Sequence, residues 1–235
     1  MSFVYSAARV VVVPILRAVW DVRVTGLEHL PEGPVILAAN HQSAADQVFL
    51  SAVSPRKVFY MAKAEYFRGR GVRGRLTASF MTTFGQIPVE REGLRAAVES
   101  LGAAEQVLKE GKIFGIFPEG TRSPDGRLYR GRTGVARLAL ATGVPVVPVG
   151  IIGTDRVQPP GRPFPRVGPK IRISLGEPLR VERPDSGKPG STTVRAITDD
   201  IMARIAGLSG QEVVGSYAPR GAAAAAAQNK GREAD

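Results

Sequence analysis

Seven short runs rich in Val, Ile and Leu alternate with stretches of helical character, and this alternation narrows the possible folds more than any other feature of the chain. The runs fall near Val22–Thr25, Pro34–Ala39, Lys57–Ala62, Gln86–Val89, Lys112–Phe117, Val144–Ile152 and Lys170–Leu175. Helices are expected near Asp46–Val53, Val72–Thr83, Leu94–Lys109, Gly134–Thr142 and Thr193–Leu208. Strands interleaved with helices predict an α/β fold, a layered and mostly parallel sheet flanked by helices. With 235 residues, 43% of them hydrophobic, one domain with a substantial core suits the chain.

Turn signals such as Pro31-Glu32-Gly33 separate these elements. Residues 156–169 hold five prolines and two glycines and read as a loop or lid-like excursion. Residues 183–190 read as a second connector. From Gly215 onward no apolar face is available, so residues 215–235 are expected to be a disordered tail. Residues 22–214 are expected to form the main domain.

The N-terminus reads FVYSAARVVVVPILRAVW, with Arg9 and Arg17 inside it and Pro14 near its middle. It is too interrupted for a membrane span. The two arginines lie about 80° apart on an ideal helix, so valines and Trp20 can cover the remaining surface. Residues 1–21 are therefore expected to be an amphipathic helix lying on a membrane surface, with a buried core helix as the alternative. The chain carries 32 basic and 21 acidic residues, a net charge of +11, which favours an anionic partner. No cysteine is present, which excludes disulfides, thiolate nucleophiles and cysteine-bound zinc, and two histidines leave little scope for a metal site.

Two polar clusters follow apolar strands. The first, Asn40-His41-Gln42-Ser43-Ala44-Ala45-Asp46, comes after Val35–Ala39 and opens a helix. Open α/β folds place reactive groups at such strand ends. A histidine is the natural base near neutral pH. A carboxylate five residues on can reach its imidazole and fix the tautomer, although Asp46 also suits a plain helix N-terminus. The second cluster is Phe117-Pro118-Glu119-Gly120-Thr121-Arg122-Ser123. Gly120 admits close backbone approach, Arg122 offers a planar fork for phosphate, and Glu119 can accept from a ligand hydroxyl. A turn with an exposed salt bridge is the alternative.

In this order the residues resemble the glycerolipid acyltransferase family, which includes bacterial 1-acyl-glycerol-3-phosphate acyltransferases. Its His-x4-Asp block is matched by Asn40, His41, Ser43 and Asp46, and its Gly-x-Ile-x-x-x-Arg strand by Gly85, Ile87 and Arg91. Its third block is matched without change by Phe117 to Ser123, and its apolar strand with paired prolines by Val144–Val149. Two departures are visible: Glu90 stands where many members have aspartate, and Arg130-Gly131-Arg132 replaces a stretch that often holds lysine.

The resemblance implies direct attack by an acceptor hydroxyl on an acyl thioester, with no acyl-enzyme. His41 would take the proton and Asp46 would orient His41. Arg91, Glu119, Gly120, Thr121 and Arg122 would hold the phosphate and glycerol of a lysophosphatidate acceptor. Lys63, one helix downstream of His41, is a possible oxyanion or donor contact. No cofactor or metal is expected; acyl-CoA or acyl-carrier protein serves as co-substrate. The expected partner is an anionic membrane surface, at the cytoplasmic face, and not nucleic acid.

Two features remain beside this reading. Gly69-Arg70-Gly71-Val72-Arg73-Gly74 spells a dinucleotide fingerprint, but Lys63–Arg68 separates it from the preceding strand. Arg56–Arg75 carries seven basic residues against Glu65 alone and suits headgroup or acyl-carrier contact, or a solvated loop. His29 is expected at the surface.

Overall fold

The computed structural model describes residues 3–69, 71–90, 93–159, 164–182 and 189–219. Its main sheet has seven strands: β1 (Val22–Thr25), β2 (Val35–Ala39), β3 (Val58–Lys63), β4 (Gln86–Val89), β5 (Ile113–Ile116), β7 (Val146–Ile152) and β8 (Ile171–Leu175). A two-stranded ribbon is formed by β6 (Leu128–Tyr129) and β9 (Val213–Val214). The main sheet runs β1-β8-β7-β2-β5-β3-β4. All its pairings are parallel except β7 with β8. The expected layered, mostly parallel sheet is therefore what forms.

Position in the sheet explains composition. β2 lies between β7 and β5, and all five of its residues are buried, as a strand covered on both faces requires. β1 at the edge alternates half-buried valines with exposed Arg23 and Thr25. Pro148 lies inside β7, where a missing N–H would normally break a ladder. It is tolerated because the antiparallel ladder with β8 starts one residue later, at Val149, and the Pro148 carbonyl accepts Gly176 N–H at 2.8 Å.

Helices cover both faces. On one side α1 (Phe3–Val19) and α2 (Ala45–Val53) enclose a cluster of Trp20, Leu37, Phe49, Leu50, Ile151 and Ile173. On the other, α4 (Gly93–Lys109), α5 (Gly134–Thr142) and α7 (Ser191–Ser209) pack over Ile36, Phe114, Leu138, Ile201 and Ile205. α3 (Gly71–Thr83) follows a 3-10 turn, Ala64–Phe67, and α6 (Thr154–Val157) is a single turn after β7.

Three local expectations need correction, and the fingerprint-like segment, set aside above, has a packing role. The first 21 residues are not separate from the core, because Trp20 is buried against Phe49 and donates from Nε1 to the Arg166 carbonyl at 2.8 Å. The tail does not begin at Gly215. β9 pairs with β6, Arg130 N–H donates to the Ser216 carbonyl at 3.0 Å, and Ala218 is buried; residues 220–235 lie outside the described residues. His29 is half-buried, its Nδ1 at 3.0 Å from the Leu175 carbonyl. Gly69 and Gly74 of the fingerprint-like segment touch each other's backbone, so a Cβ at either would clash; their glycines serve packing.

Candidate active site

The carboxyl ends of β2 and β5 lie side by side, and both polar clusters emerge there. Asn40 closes β2 by gripping the backbone of β7. Its Nδ2 donates to the Ile151 carbonyl at 2.8 Å and its Oδ1 accepts Ile151 N–H at 2.7 Å. Nδ2 also donates to Gln211 Oε1 at 2.7 Å. This fixes the strand end from which His41 projects.

Asp46 is fully buried in the first turn of α2. One oxygen, Oδ2, receives three donors: His41 Nδ1 at 2.8 Å, Gln42 N–H at 2.7 Å and Ser43 N–H at 2.8 Å. Because a carboxylate only accepts, His41 carries its proton on Nδ1, and Nε2 is left with a lone pair. The imidazole is 16% exposed, enough for a substrate atom to reach it. Ser43 secures the same turn, accepting Ala45 N–H at 3.2 Å and donating to the Gln158 carbonyl at 3.0 Å.

The second cluster supports the first from below. Phe117 stacks on the His41 ring at 4.0 Å between centroids, and Tyr60 stacks on Phe117 at 6.0 Å. Gly115 makes room for Tyr60, since a Cβ there would sit 2.1 Å from its ring. Ser123 N–H donates to the His41 carbonyl at 2.7 Å. Glu119 is 1% exposed; Oε1 accepts His41 N–H at 2.8 Å and Oε2 accepts Tyr129 N–H at 3.1 Å. Its carboxyl is pushed up from 4.5 to about 7, first by burial and further by nearby Asp46 and Asp125, against the pull of the two amides. The expectation that Glu119 meets a ligand hydroxyl is therefore corrected: both oxygens face the protein interior and are taken by backbone.

The remaining site residues divide. Gly120 takes a left-handed conformation, φ 73°, and is itself exposed. Thr121 and Arg122 follow it half-buried, and Arg122 makes no ion pair among the described residues. Lys63 ends β3 and pairs with Glu65 at 3.7 Å; no described contact brings it to His41. Arg91 lies outside the described residues. A cleft of about 290 Å³ opens beside its neighbour Glu90, lined by Phe67, Arg68, Pro88, Val89 and Ala103, but His41 is not in its wall. Among the described residues no group of three acidic or histidine side chains could hold a metal. Gln211, the Tyr129 amide and the stacked Phe117 were not anticipated. They join positions far apart in sequence, and nothing local signals such contacts.

A family model described as Acyltransferase matches residues 21–152. The chain is 31% identical over 187 residues to the 1-acyl-sn-glycerol-3-phosphate acyltransferase of Bacillus subtilis, covering 78% of this chain and 86% of that protein. It is 30% identical over 168 residues to a chloroplastic 1-acyl-sn-glycerol-3-phosphate acyltransferase of Arabidopsis thaliana, covering 71% of this chain but only 46% of that longer relative. The crystal structure of the 1-acyl-sn-glycerophosphate acyltransferase PlsC of Thermotoga maritima superposes with a TM-score of 0.60 at 31% identity, over 85% of this chain and 80% of that one.

Proposed function

The chain belongs to the acyltransferase family, and on that premise we propose that it moves a fatty acyl group from an acyl thioester to the sn-2 hydroxyl of 1-acyl-glycerol-3-phosphate. The product is phosphatidic acid, an intermediate of phospholipid synthesis. The observation that carries this reading is the pair His41–Asp46, with Nδ1 held at 2.8 Å and Nε2 left to the open side.

In the proposed reaction, His41 Nε2 takes the proton of the acceptor hydroxyl as its oxygen attacks the thioester carbonyl. The imidazolium is stabilised by Asp46, whose oxygen is itself fixed by two amides. Collapse of the tetrahedral intermediate forms the ester and expels a thiolate, which takes the proton back from Nε2. Arg122, with Arg91 as the family's second-block arginine, holds the phosphate and so places the hydroxyl; such positioning supplies several kcal/mol of a barrier. Acyl-CoA or acyl-carrier protein serves as the donor.

The acceptor is a membrane lipid, and the protein offers a surface for reaching it. Val10, Val11 and Ile15 of α1 are more than half exposed. Phe164 and Val167 are 80% and 74% exposed, and Arg166 between them ties this loop to Trp20 at the end of α1. Apolar side chains beside basic ones suit an anionic bilayer surface. No helix among the described residues is long and apolar enough to cross a membrane. We therefore propose a peripheral association on the cytoplasmic face.

The test is to offer purified protein one labelled acyl donor with lysophosphatidate, glycerol-3-phosphate and a phosphodiester lyso-lipid, and to identify products by mass. Phosphatidic acid should dominate. Preference for glycerol-3-phosphate or another lyso-lipid would replace the acceptor while leaving acyl transfer in place, and no product from any acceptor would defeat the reading.

A further inference from the structure

Arg132 has an unusual setting. Its Cδ and Nε lie against the Gly120 turn so closely that a Cβ at residue 120 would come within 3.0 Å of both. Its own N–H donates to the Pro118 carbonyl at 2.7 Å, so the backbone beneath the side chain is fixed to the third block. Gly120 is one residue from Glu119, which holds the His41 amide, and two from Arg122. The side chain of Arg132 thus lies on the turn that carries Glu119 and Arg122.

Among the described residues the charge has no acidic partner. Arg23, Arg68, Arg127, Arg195 and Arg204 all pair with carboxylates, whereas Arg122, Arg130 and Arg132 make no ion pair among the described residues. Instead the guanidinium carbons of Arg130 and Arg132 both lie over one aromatic ring, that of Tyr217, at 5.5 and 5.3 Å from its centroid. An aromatic face holds a guanidinium without neutralising it or consuming all its N–H donors.

Tyr217 is in turn well anchored. Arg195 Nη1 reaches its hydroxyl at 3.4 Å and donates to the Gly131 carbonyl at 2.8 Å. Arg130 N–H donates to the Ser216 carbonyl, and Ala218 is buried next to it. Upstream, Gln211 joins Asn40 at 2.7 Å to the Gly126 carbonyl at 2.6 Å. The segment Gln211–Ala218 therefore straps the His41 strand to the loop that carries the arginines.

We propose that Arg132 is a further phosphate-binding residue of the acceptor site, and that Tyr217 is the residue that positions it. The proposal rests on the phosphomonoester acceptor proposed above and extends its headgroup site to the C-terminal segment. Arg122 and Arg132 would grip different oxygens of one phosphate, the arrangement that charge-assisted guanidinium contacts favour.

The test uses the full-length chain, lysophosphatidate, and a monoacylglycerol with the same acyl group. Arg132→Ala should raise KM for lysophosphatidate about 10–100-fold, as expected for loss of a charge-assisted contact, with kcat within about threefold. KM for the monoacylglycerol should not change, and Arg132→Lys should recover part of the loss. Tyr217→Ala, and a chain ended after Val214, should shift the lysophosphatidate KM in the same direction by a smaller factor. Tyr217→Phe, which keeps the ring, should stay near wild type. Calorimetric binding of lysophosphatidate to the His41→Ala protein, with and without Arg132→Ala, reads the contact without turnover. Weaker binding in the double variant supports the proposal even if lysophosphatidate is not the acceptor used. Unchanged binding and KM, or equal losses with both acceptors, would overturn the role of Arg132. Tyr217→Phe as damaging as Tyr217→Ala would overturn the role of Tyr217.

Discussion

Around His41 the polar atoms are tied inward, whereas across the Gly120 turn the guanidinium groups have no acidic partner among the described residues. Asp46 Oδ2 accepts three N–H donors, and Glu119 ties the His41 amide to that of Tyr129. On the other side Arg122 is half-buried, Arg130 and Arg132 are exposed, and none of the three meets a carboxylate among the described residues. The difference fits the roles proposed for the two sides. A base must hold one tautomer and one orientation before substrate arrives, so its supports are internal and permanent. A phosphate site must leave its donors unsatisfied until the anion enters. Substitutions should therefore behave differently on the two sides, the first lowering rate with any acceptor and the second only with phosphate-bearing ones.

The largest expected effect is on the base. His41→Ala should lower turnover about 10²–10⁴-fold with lysophosphatidate and monoacylglycerol alike, while the melting temperature stays close to wild type. Asp46→Asn should lose a comparable amount, because an amide cannot accept three donors and favours the wrong tautomer. More than about a tenth of the wild-type rate left in His41→Ala would remove the histidine from its assigned role. On the arginine side, Arg122→Ala should cost about 10–100-fold in kcat/KM for lysophosphatidate, from a charge-assisted contact worth about 1.5–3 kcal/mol. With a phosphate-free acceptor the loss should largely vanish. Equal losses with both acceptors would mean that Arg122 supports the loop, and the contrast between the two sides would collapse.

The two sides were unequally legible in the sequence. Strand and helix positions followed from apolar runs and turn residues, and β1, β4 and α5 begin and end where the pattern placed them. His41 and Asp46 could be paired because both lie within seven residues at a strand end. The direction in which Glu119 points could not be read, because a turn residue faces solvent or interior according to what packs beneath it. Here the partners are amides 78 residues before it and 10 after. The role of Tyr217 was hidden for the same reason: Ser-Tyr-Ala-Pro has no periodicity, and only the pairing of β9 with β6 brings it under Arg130 and Arg132. The reversal of β8 against β7 was likewise not visible in the strands' own composition.

A third expectation separates both sides of the site from the proposed membrane surface. Removing residues 1–20 would take away Trp20, a core residue, so the informative change is Val10, Val11 and Ile15 to serine together. Vesicle binding should weaken about tenfold or more, since burying each such side chain is worth about 1.5–3 kcal/mol. Turnover on a lysophosphatidate dispersed in detergent should change no more than about twofold. Sedimentation with anionic vesicles equal to that of the wild type would show that this face is not the one that meets lipid.

The smallest effect tests whether Glu119 belongs with the internal supports. Burial raises its carboxyl from 4.5 to about 7, so the folded protein holds this proton more tightly than the unfolded chain does. By linkage the resulting stabilisation is complete below about 4.5 and is lost as pH rises through about 7. Glutamine at 119 cannot titrate. It keeps one acceptor for one amide and turns a donor toward the other, which costs about 1–3 kcal/mol for the unsatisfied group. Glu119→Gln should therefore be less stable than wild type at pH 5, with a gap that narrows toward pH 8, as calorimetric melting temperatures would read. Lysophosphatidate binding by the folded variant should stay near wild type, because neither oxygen of Glu119 faces the acceptor. A gap that widens with pH would mean that the two amides outweigh burial and keep the carboxylate charged, and a specific loss of lysophosphatidate binding would return Glu119 to the ligand.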